Sequence, residues 1–222
     1  MQSIKLIDAG LKPYGEVLQL QEQLFNANLQ AKENNATTAN TLILCQHYPV
    51  FTLGKSGKRE NILVSDEEMN AEFYKINRGG DVTFHGPGQL VAYPIVDVDS
   101  LGIGLARYIE LLEETIIHSL LPYKLHAERI KDAAGIWLRN NGNDRKICAI
   151  GVRASRHITM HGLAMNVNTD LSYFNKIVPC GLQDKGVTSL QKELGRLQDF
   201  DAYKQQFIKD FEKVFDVKVH QQ

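Results

Sequence analysis

Arg78-Gly79-Gly80-Asp81-Val82-Thr83-Phe84-His85-Gly86-Pro87-Gly88-Gln89 places four of the chain's 17 glycines and one of its seven histidines within twelve residues. Glycine is costly inside regular structure and useful where backbone bends sharply or approaches another group closely. The stretch reads as a bend, and the apolar run at 90–96 that follows it reads as a core strand. A glycine-rich bend carrying one arginine and one histidine ahead of a buried strand is the profile of a binding-site wall. An ordinary turn has the same composition.

Upstream, residues 74–77 form a short strand feeding Arg78, and 49–54 form another that runs into Gly54. Lys55, Lys58 and Arg59 follow in a glycine-containing loop. Residues 41–46 (TLILCQ) have the β-branched content of a buried strand, which makes Cys45 a small core residue. Before them, Tyr14, Val17, Leu18, Gln21, Leu24, Phe25 and Leu29 fall on one helical stripe with Pro13 at the first position, after a strand at 3–7 that ends at Asp8-Ala9-Gly10.

Downstream, the stripe Leu105, Tyr108, Ile109, Leu112, Ile116 and Leu120 predicts a helix over 104–121. Strands at 133–138 and 146–152 flank Asn140-Asn141-Gly142-Asn143-Asp144, a hairpin signal. A further strand pair is expected at 158–160 and 162–168, then a turn at Pro179-Cys180-Gly181. Phe200, Tyr203, Phe207, Phe211 and Val214 mark a C-terminal helix, and 217–219 a strand closing a sheet edge. Hairpin-like strands with helices at intervals specify an α+β fold, a mixed β-sheet with packed helices, and not alternating βαβ units. With no repeat, low-complexity tract or linker, residues 1–222 read as a single domain.

The balance of 25 Lys+Arg against 26 Asp+Glu carries no signature of nucleic-acid binding. No apolar run reaches membrane-spanning length, and the first residues lack the apolar core of a signal peptide. Three scattered cysteines build neither a disulfide framework nor a zinc site. The expectation is a soluble, cytoplasmic protein without metal or cofactor.

Of the three thiols, Cys180 is the candidate nucleophile, because its Pro-Cys-Gly turn lies outside any apolar periodic run. A free cysteine of pKa ~8.5 is only a few per cent thiolate at neutral pH, so a nearby cation is needed to activate it. Lys146 opens the strand Lys146-Ile147-Cys148-Ala149-Ile150-Gly151, and period-two geometry puts it on the face of Cys148 and Ile150, where partial burial makes its pKa tunable. An ordinary hairpin-mouth lysine fits the same pattern. His85, His157 and His161 are conceivable ring partners without metal-ligand spacing. In His161-Gly162-Leu163-Ala164-Met165-Asn166-Val167-Asn168, small residues beside large ones can shape an alkyl slot or simply pack.

Three stretches taken together, Arg78 to Gln89, Lys146 to Gly151, and His161 to Asn168 followed by Pro179-Cys180-Gly181, resemble the lipoyl(octanoyl) transferase family. The resemblance spans about residues 40–195. It implies a fold like the catalytic domain of biotin and lipoate protein ligases. It also implies transfer of octanoyl from octanoyl-acyl carrier protein to a lysine of lipoyl domains, those of 2-oxoacid dehydrogenase E2 subunits and the glycine cleavage H protein, as the first step of lipoate biosynthesis. By position, Cys180 matches the acyl-thioester nucleophile and Lys146 the lysine that lowers its pKa. Arg78, Gly79, Gly80, Asp81, Val82, Thr83, Phe84 and His85, with Ala149, Ile150 and Gly151 and with Gly162, Leu163 and Ala164, match segments lining the acyl pocket. An ATP-dependent lipoate–protein ligase, or a non-catalytic acyl-binding module, is the alternative within the same superfamily. Acyl carrier proteins are typically acidic, so Lys55, Lys58, Arg59, Arg145, Arg153 and Arg156 are the candidate docking cations.

Overall fold

The computed structural model describes residues 2–140, 142–178 and 185–221. In chain order the elements are β1 (Gln2–Lys12), α1 (Tyr14–Glu33), β2 (Thr41–His47), β3 (Val50–Leu53), α2 (Asp66–Met69), β4 (Glu72–Lys75), β5 (Val82–His85), β6 (Gln89–Ile95) and α3 (Leu105–Leu120). Then come β7 (Ala127–Ile130), β8 (Ala133–Leu138), β9 (Arg145–Ser155), β10 (Ile158–Asn166), β11 (Gly186–Val187), α4 (Leu190–Leu194), α5 (Phe200–Phe215) and β12 (Val217–Gln221). A nine-stranded sheet runs β12-β1-β2-β6-β10-β9-β8-β7, with β11 added beside the start of β9, and a small sheet runs β4-β3-β5. The large sheet is mixed: β12, β1 and β2 are parallel, and the pairs from β2 through β7 are antiparallel.

Alternation along the central strands builds two cores. Leu42, Leu44, Leu90, Ala92, Leu163 and Met165 face α3 and α5, meeting Tyr108, Leu112, Phe207 and Phe211. Ile43, Cys45, Val91, Tyr93, Met160 and Ala164 face α1 and meet Val17 and Phe25. The buried stripe of α1 also carries Asn28, whose amide bonds both the N–H and the carbonyl of Ala39 at 2.8 Å and so anchors the polar loop ahead of β2. A third core lies under the small sheet, where Phe84 stacks on Tyr173 with ring centroids 4.3 Å apart.

Four details differ from the sequence expectation, each for a local reason. Asp8-Ala9-Gly10 does not end β1 but forms a bulge, with the Gly10 N–H bonded to Asp8 Oδ1 at 3.1 Å, and pairing with β2 resumes beyond it. Residues 82–85 are not part of the bend, because Val82 and Phe84 alternate into the small-sheet core and pair with β3. The expected strand pair at 158–168 is one strand, β10, with His161 at a left-handed φ of +59° inside it. Finally, α2, α4 and β7 follow from signals too short to read as elements; for α2 the signal is a capping box between Ser65 and Glu68. Among the described residues no helix is long and apolar enough to cross a membrane.

Candidate active site

The glycine-rich bend closes over the face of the large sheet that carries α1. Gly79 N–H donates to Val152 O at 3.1 Å, and a Cβ on Gly151 would stand 2.9 Å from Gly79 O and 3.1 Å from Arg78 Cδ. On its other side the bend is bolted to the turn after β3 by Lys55 N–H to Arg78 O (3.0 Å) and Ser56 N–H to Gly80 O (3.2 Å). Gly80 has a φ of +88°, a conformation that glycine adopts without penalty. The Arg78 guanidinium, 8 % exposed, donates to Gly79 O (2.9 Å), Thr52 O (2.9 Å), Thr52 Oγ1 (3.0 Å) and Asp81 O (2.8 Å). A buried cation here fixes the shape of the bend and gives the wall positive potential.

Below the bend lies a cavity lined by all three sequence stretches. Arg78, Gly80, Asp81, Val82, Thr83 and His85 contribute one side, and Ala149, Ile150, Gly151, Gly162, Leu163 and Ala164 the sheet. Gly79 is not in the lining and acts through its backbone. Phe84 is not in it either: its ring lies 1 % exposed in the small-sheet core. Tyr14, Gln89, Tyr93, Asn166, Phe174 and Val187 line the cavity without having been singled out as site residues. Tyr14 and Tyr93 sit at core positions of apolar stripes, where sequence cannot tell a cavity wall from packing. Gln89 and Asn166 lay inside the quoted motifs.

Lys146 is in the cavity wall, 8 % exposed, with Nζ 4.7 Å from the centroid of the Trp137 ring. The expected shared face with Cys148 is wrong. A register shift between β8 and β9, pairing Trp137 with Lys146 and Ile136 with Cys148, interrupts the period of two. Cys148 therefore packs in the α3/α5 core while Lys146 joins the cavity. Burial pushes the Cys45 and Cys148 thiols far above their ordinary range, so both are inert. Cys180 lies outside the described residues. The described chain after it, at Gly186–Val187, pairs with Arg145–Lys146, and Thr188 N–H donates to Lys146 O at 2.9 Å.

A hydrogen-bond chain of fixed polarity connects the bend to that segment. Gln89 Nε2 donates to Phe84 O (3.1 Å) and Asn166 Oδ1 (2.8 Å), which leaves its Oε1 to accept from His85 Nδ1–H at 2.8 Å. His85 Nε2 accepts from Thr52 Oγ1 at 3.4 Å, and Thr52 in turn accepts from Arg78. Asn166 Nδ2 donates to Thr188 O at 3.0 Å. Nearby, His47 donates Nδ1–H to Lys12 O (3.1 Å) and accepts from Tyr93 Oη (2.9 Å).

Burial, reinforced by neighbouring positive groups, lowers His85 to about 3 and His161 to about 3, and burial lowers His47 to about 4. In the unfolded chain each titrates near ~6.5. Below that pH the unfolded chain binds protons that the folded chain refuses. Stability is therefore full above pH ~6.5 and falls toward pH 4, by up to about 4 kcal/mol per pH unit for three such groups. Urea titrations at pH 7.5 and 5.5 should show a clearly lower midpoint at 5.5; equal midpoints would contradict neutral burial of these rings. Among the described residues no group of three His, Cys, Asp or Glu is arranged to hold a metal ion.

Residues 13–212 match the family model described as the lipoyl protein ligase A/B catalytic domain. An octanoyltransferase of Parabacteroides distasonis is 49% identical over 220 residues, covering 97% of this chain and 100% of the relative. One of Bacteroides fragilis is 50% identical over 202 residues, covering 89% and 91%. The chain belongs to the octanoyltransferase family. Octanoyltransferases are acyltransferases, which excludes the non-catalytic alternative raised by the sequence. Among solved structures, lipoate-protein ligase A bound with ATP superposes with a TM-score of 0.71 at 14% identity, covering 100% of this chain and 89% of the other. The biotin protein ligase of Aquifex aeolicus in complex with biotin and ATP gives 0.55 at 12%, covering 96% and 70%. These two likenesses establish the shared ligase-type fold of the family.

Proposed function

We propose that this octanoyltransferase, acting in the cytoplasm as a single catalytic domain over residues 1–222, moves octanoyl from octanoyl-acyl carrier protein to a lipoyl-domain lysine through a Cys180 thioester. The acceptors are lipoyl domains of 2-oxoacid dehydrogenase E2 subunits and the glycine cleavage H protein. The observation that carries the reading is the convergence of three separated motif stretches on one cavity with Lys146 in its wall. In the first half, Cys180 thiolate attacks the donor thioester, and the carrier thiol leaves with the electron pair and takes up a proton. In the second, the lipoyl-domain amine attacks the acyl-enzyme, gives up one proton as the amide forms and releases Cys180 as the thiolate, which offsets the proton taken up by the carrier thiol. Each half passes through an oxyanion that needs preorganised donors; Gly80, Ile150 and Gly151 line the same wall, whereas the Gly79 N–H is already committed to Val152 O.

Docking of an acidic carrier falls to fewer cations than the sequence suggests. Arg59 pairs with Asp66, Arg145 with Glu193, and Arg156 with Glu33, which neutralises half of the candidate patch. Lys55, Lys58 and Arg153 remain, the last with its guanidinium 5.0 Å from the Phe25 ring centroid.

Incubating the protein with octanoyl-acyl carrier protein alone should give an octanoyl adduct on Cys180, detectable by intact mass and peptide mapping. Cys180→Ser should lose it, with octanoylation of an apo lipoyl domain falling at least about a thousandfold, the scale on which an activated nucleophile matters. Transfer at the normal rate in Cys180→Ser, or a requirement for ATP with free octanoate, would refute the mechanism.

A further inference from the structure

Lys146 stands where the large sheet is thinly paired. β10 follows β9 only as far as Met165 and Cys148, and beyond them β11 takes its place, with Gly186 beside Arg145 and Val187 beside Lys146. At two residues β11 is far shorter than the usual strand of about 5–6. On the opposite side, the register with β8 shifts between the pairs Ile136–Cys148 and Trp137–Lys146. Such a shift disrupts the ladder locally.

A single carboxylate braces this point. Glu193 on α4 accepts Arg145 Nε on Oε1 at 2.9 Å and Arg145 Nη2 on Oε2 at 3.1 Å, the two-point fork in which guanidinium and carboxylate bind most strongly. The same Oε1 accepts from Thr188 Oγ1 at 2.6 Å. Arg145 precedes Lys146 in the chain, and Thr188 N–H donates to Lys146 O at 2.9 Å. Glu193 thus holds both residues attached to the Lys146 backbone, one through a peptide bond and one through a hydrogen bond.

The brace is itself well mounted. Ser189 Oγ caps α4 by accepting Lys192 N–H at 3.2 Å, and Gln191 N–H donates to Val167 O at 2.8 Å. Burial pushes the Glu193 carboxyl up, but Arg145 and Thr188 together outweigh it and hold the group below the usual carboxylate range, so it stays ionised at working pH. Past its Cα, the Lys146 stem runs by Gly135, where a Cβ would stand 3.4 Å from both Cδ and Cε, and the ammonium lies over Trp137. β8 guides the direction of the side chain, and Glu193 its point of departure.

We propose that Glu193 is a positioning residue for octanoyl transfer, fixing through Arg145 and Thr188 the point from which Lys146 reaches into the cavity. The inference rests on the octanoyl-transfer reading above. Misplacing such a group by about 1 Å can cost roughly a hundredfold in rate, although the residue at fault never meets substrate.

Glu193→Leu removes the brace, while Glu193→Gln keeps its shape and an acceptor for Thr188. Single-turnover acylation by octanoyl-acyl carrier protein, followed by mass at neutral pH, should slow about tenfold or more in Glu193→Leu and less in Glu193→Gln. The deficit should close as pH rises to about 10, where the thiolate forms without help from a cation. It should also vanish in a Lys146→Met background, which has no ammonium to place. A packing defect would persist in both settings. Rates in both variants within about twofold of the unsubstituted protein overturn the proposal, because a misplaced group costs more. A deficit that survives high pH and the Lys146→Met background overturns it as well. If Glu193→Leu does not fold, Glu193→Gln decides on the same two readings. No octanoyl adduct on the unsubstituted protein overturns the transfer reading and this one with it; an adduct there beside unaffected variants overturns this one alone.

Discussion

Lys146→Met should lower octanoyl transfer by about a hundred- to ten-thousandfold, the range over which a positioned proton-handling or charge-stabilising group acts. The side chain is buried in the cavity wall beside Trp137, and its neighbouring backbone carbonyl accepts from Thr188 in the segment that follows Cys180. At an effective dielectric near 20, an ammonium ~4 Å from a thiolate is worth about 4 kcal/mol before desolvation, sufficient for one to two pKa units. Removing the charge returns the thiol to its ordinary range or above it. The loss should therefore concentrate in the acylation half-reaction and recover partly as pH rises through 8 to 10, where hydroxide forms the thiolate unaided. Single-turnover acylation followed by mass across that range distinguishes this from a packing defect, which would not recover. A rate within about threefold of the unsubstituted enzyme at neutral pH would remove Lys146 from the mechanism, since a positioned group is worth far more.

Arg78→Met should destabilise the fold by about 3 kcal/mol, because the carbonyls of Thr52 and Gly79 lose buried donors and Asp81 O keeps only the Gly54 N–H. For a chain of this size that corresponds to a fall of about 6–12 °C in Tm. Arg78→Lys should rescue little, since an ammonium cannot serve oxygens that a planar fork reaches from two nitrogens. A calorimetric Tm within about 2 °C of the parent would show that the bend holds its shape without the guanidinium.

Much of the architecture was legible because it rests on periodicity. The stripes of α1, α3 and α5 and the alternation of β2 and β6 are dictated by which face must leave water, and the structure follows them closely. The misreadings share one physical origin, local departures from that period which neighbours stabilise. The bulge after Asp8, the register shift beside Lys146 and the left-handed His161 each depend on partners far along the chain: β2, β8 and Gln21 respectively. Lys146 was legible as a residue of interest but not in its orientation, since one inserted residue exchanges the faces of a strand. Phe84 was assigned to the cavity by its motif, yet alternation within β5 turns it into the small-sheet core with Tyr173. The polar chain from Arg78 through Thr52, His85 and Gln89 to Asn166 joins residues up to 114 positions apart and has no sequence period at all.

Trp137 is the only tryptophan of the chain, and two ammonium groups stand over its ring, Lys146 at 4.7 Å and Lys185 at 5.3 Å from the centroid. Indole emission responds to nearby charge, so the protein carries a built-in optical probe against Lys146 of the cavity wall. Lys185 is the first described residue after Cys180, so the probe borders both residues of the proposed chemistry along the chain. If Cys180 is acylated as proposed, stopped-flow fluorescence should time acyl loading and release in the unlabelled enzyme, turnover by turnover.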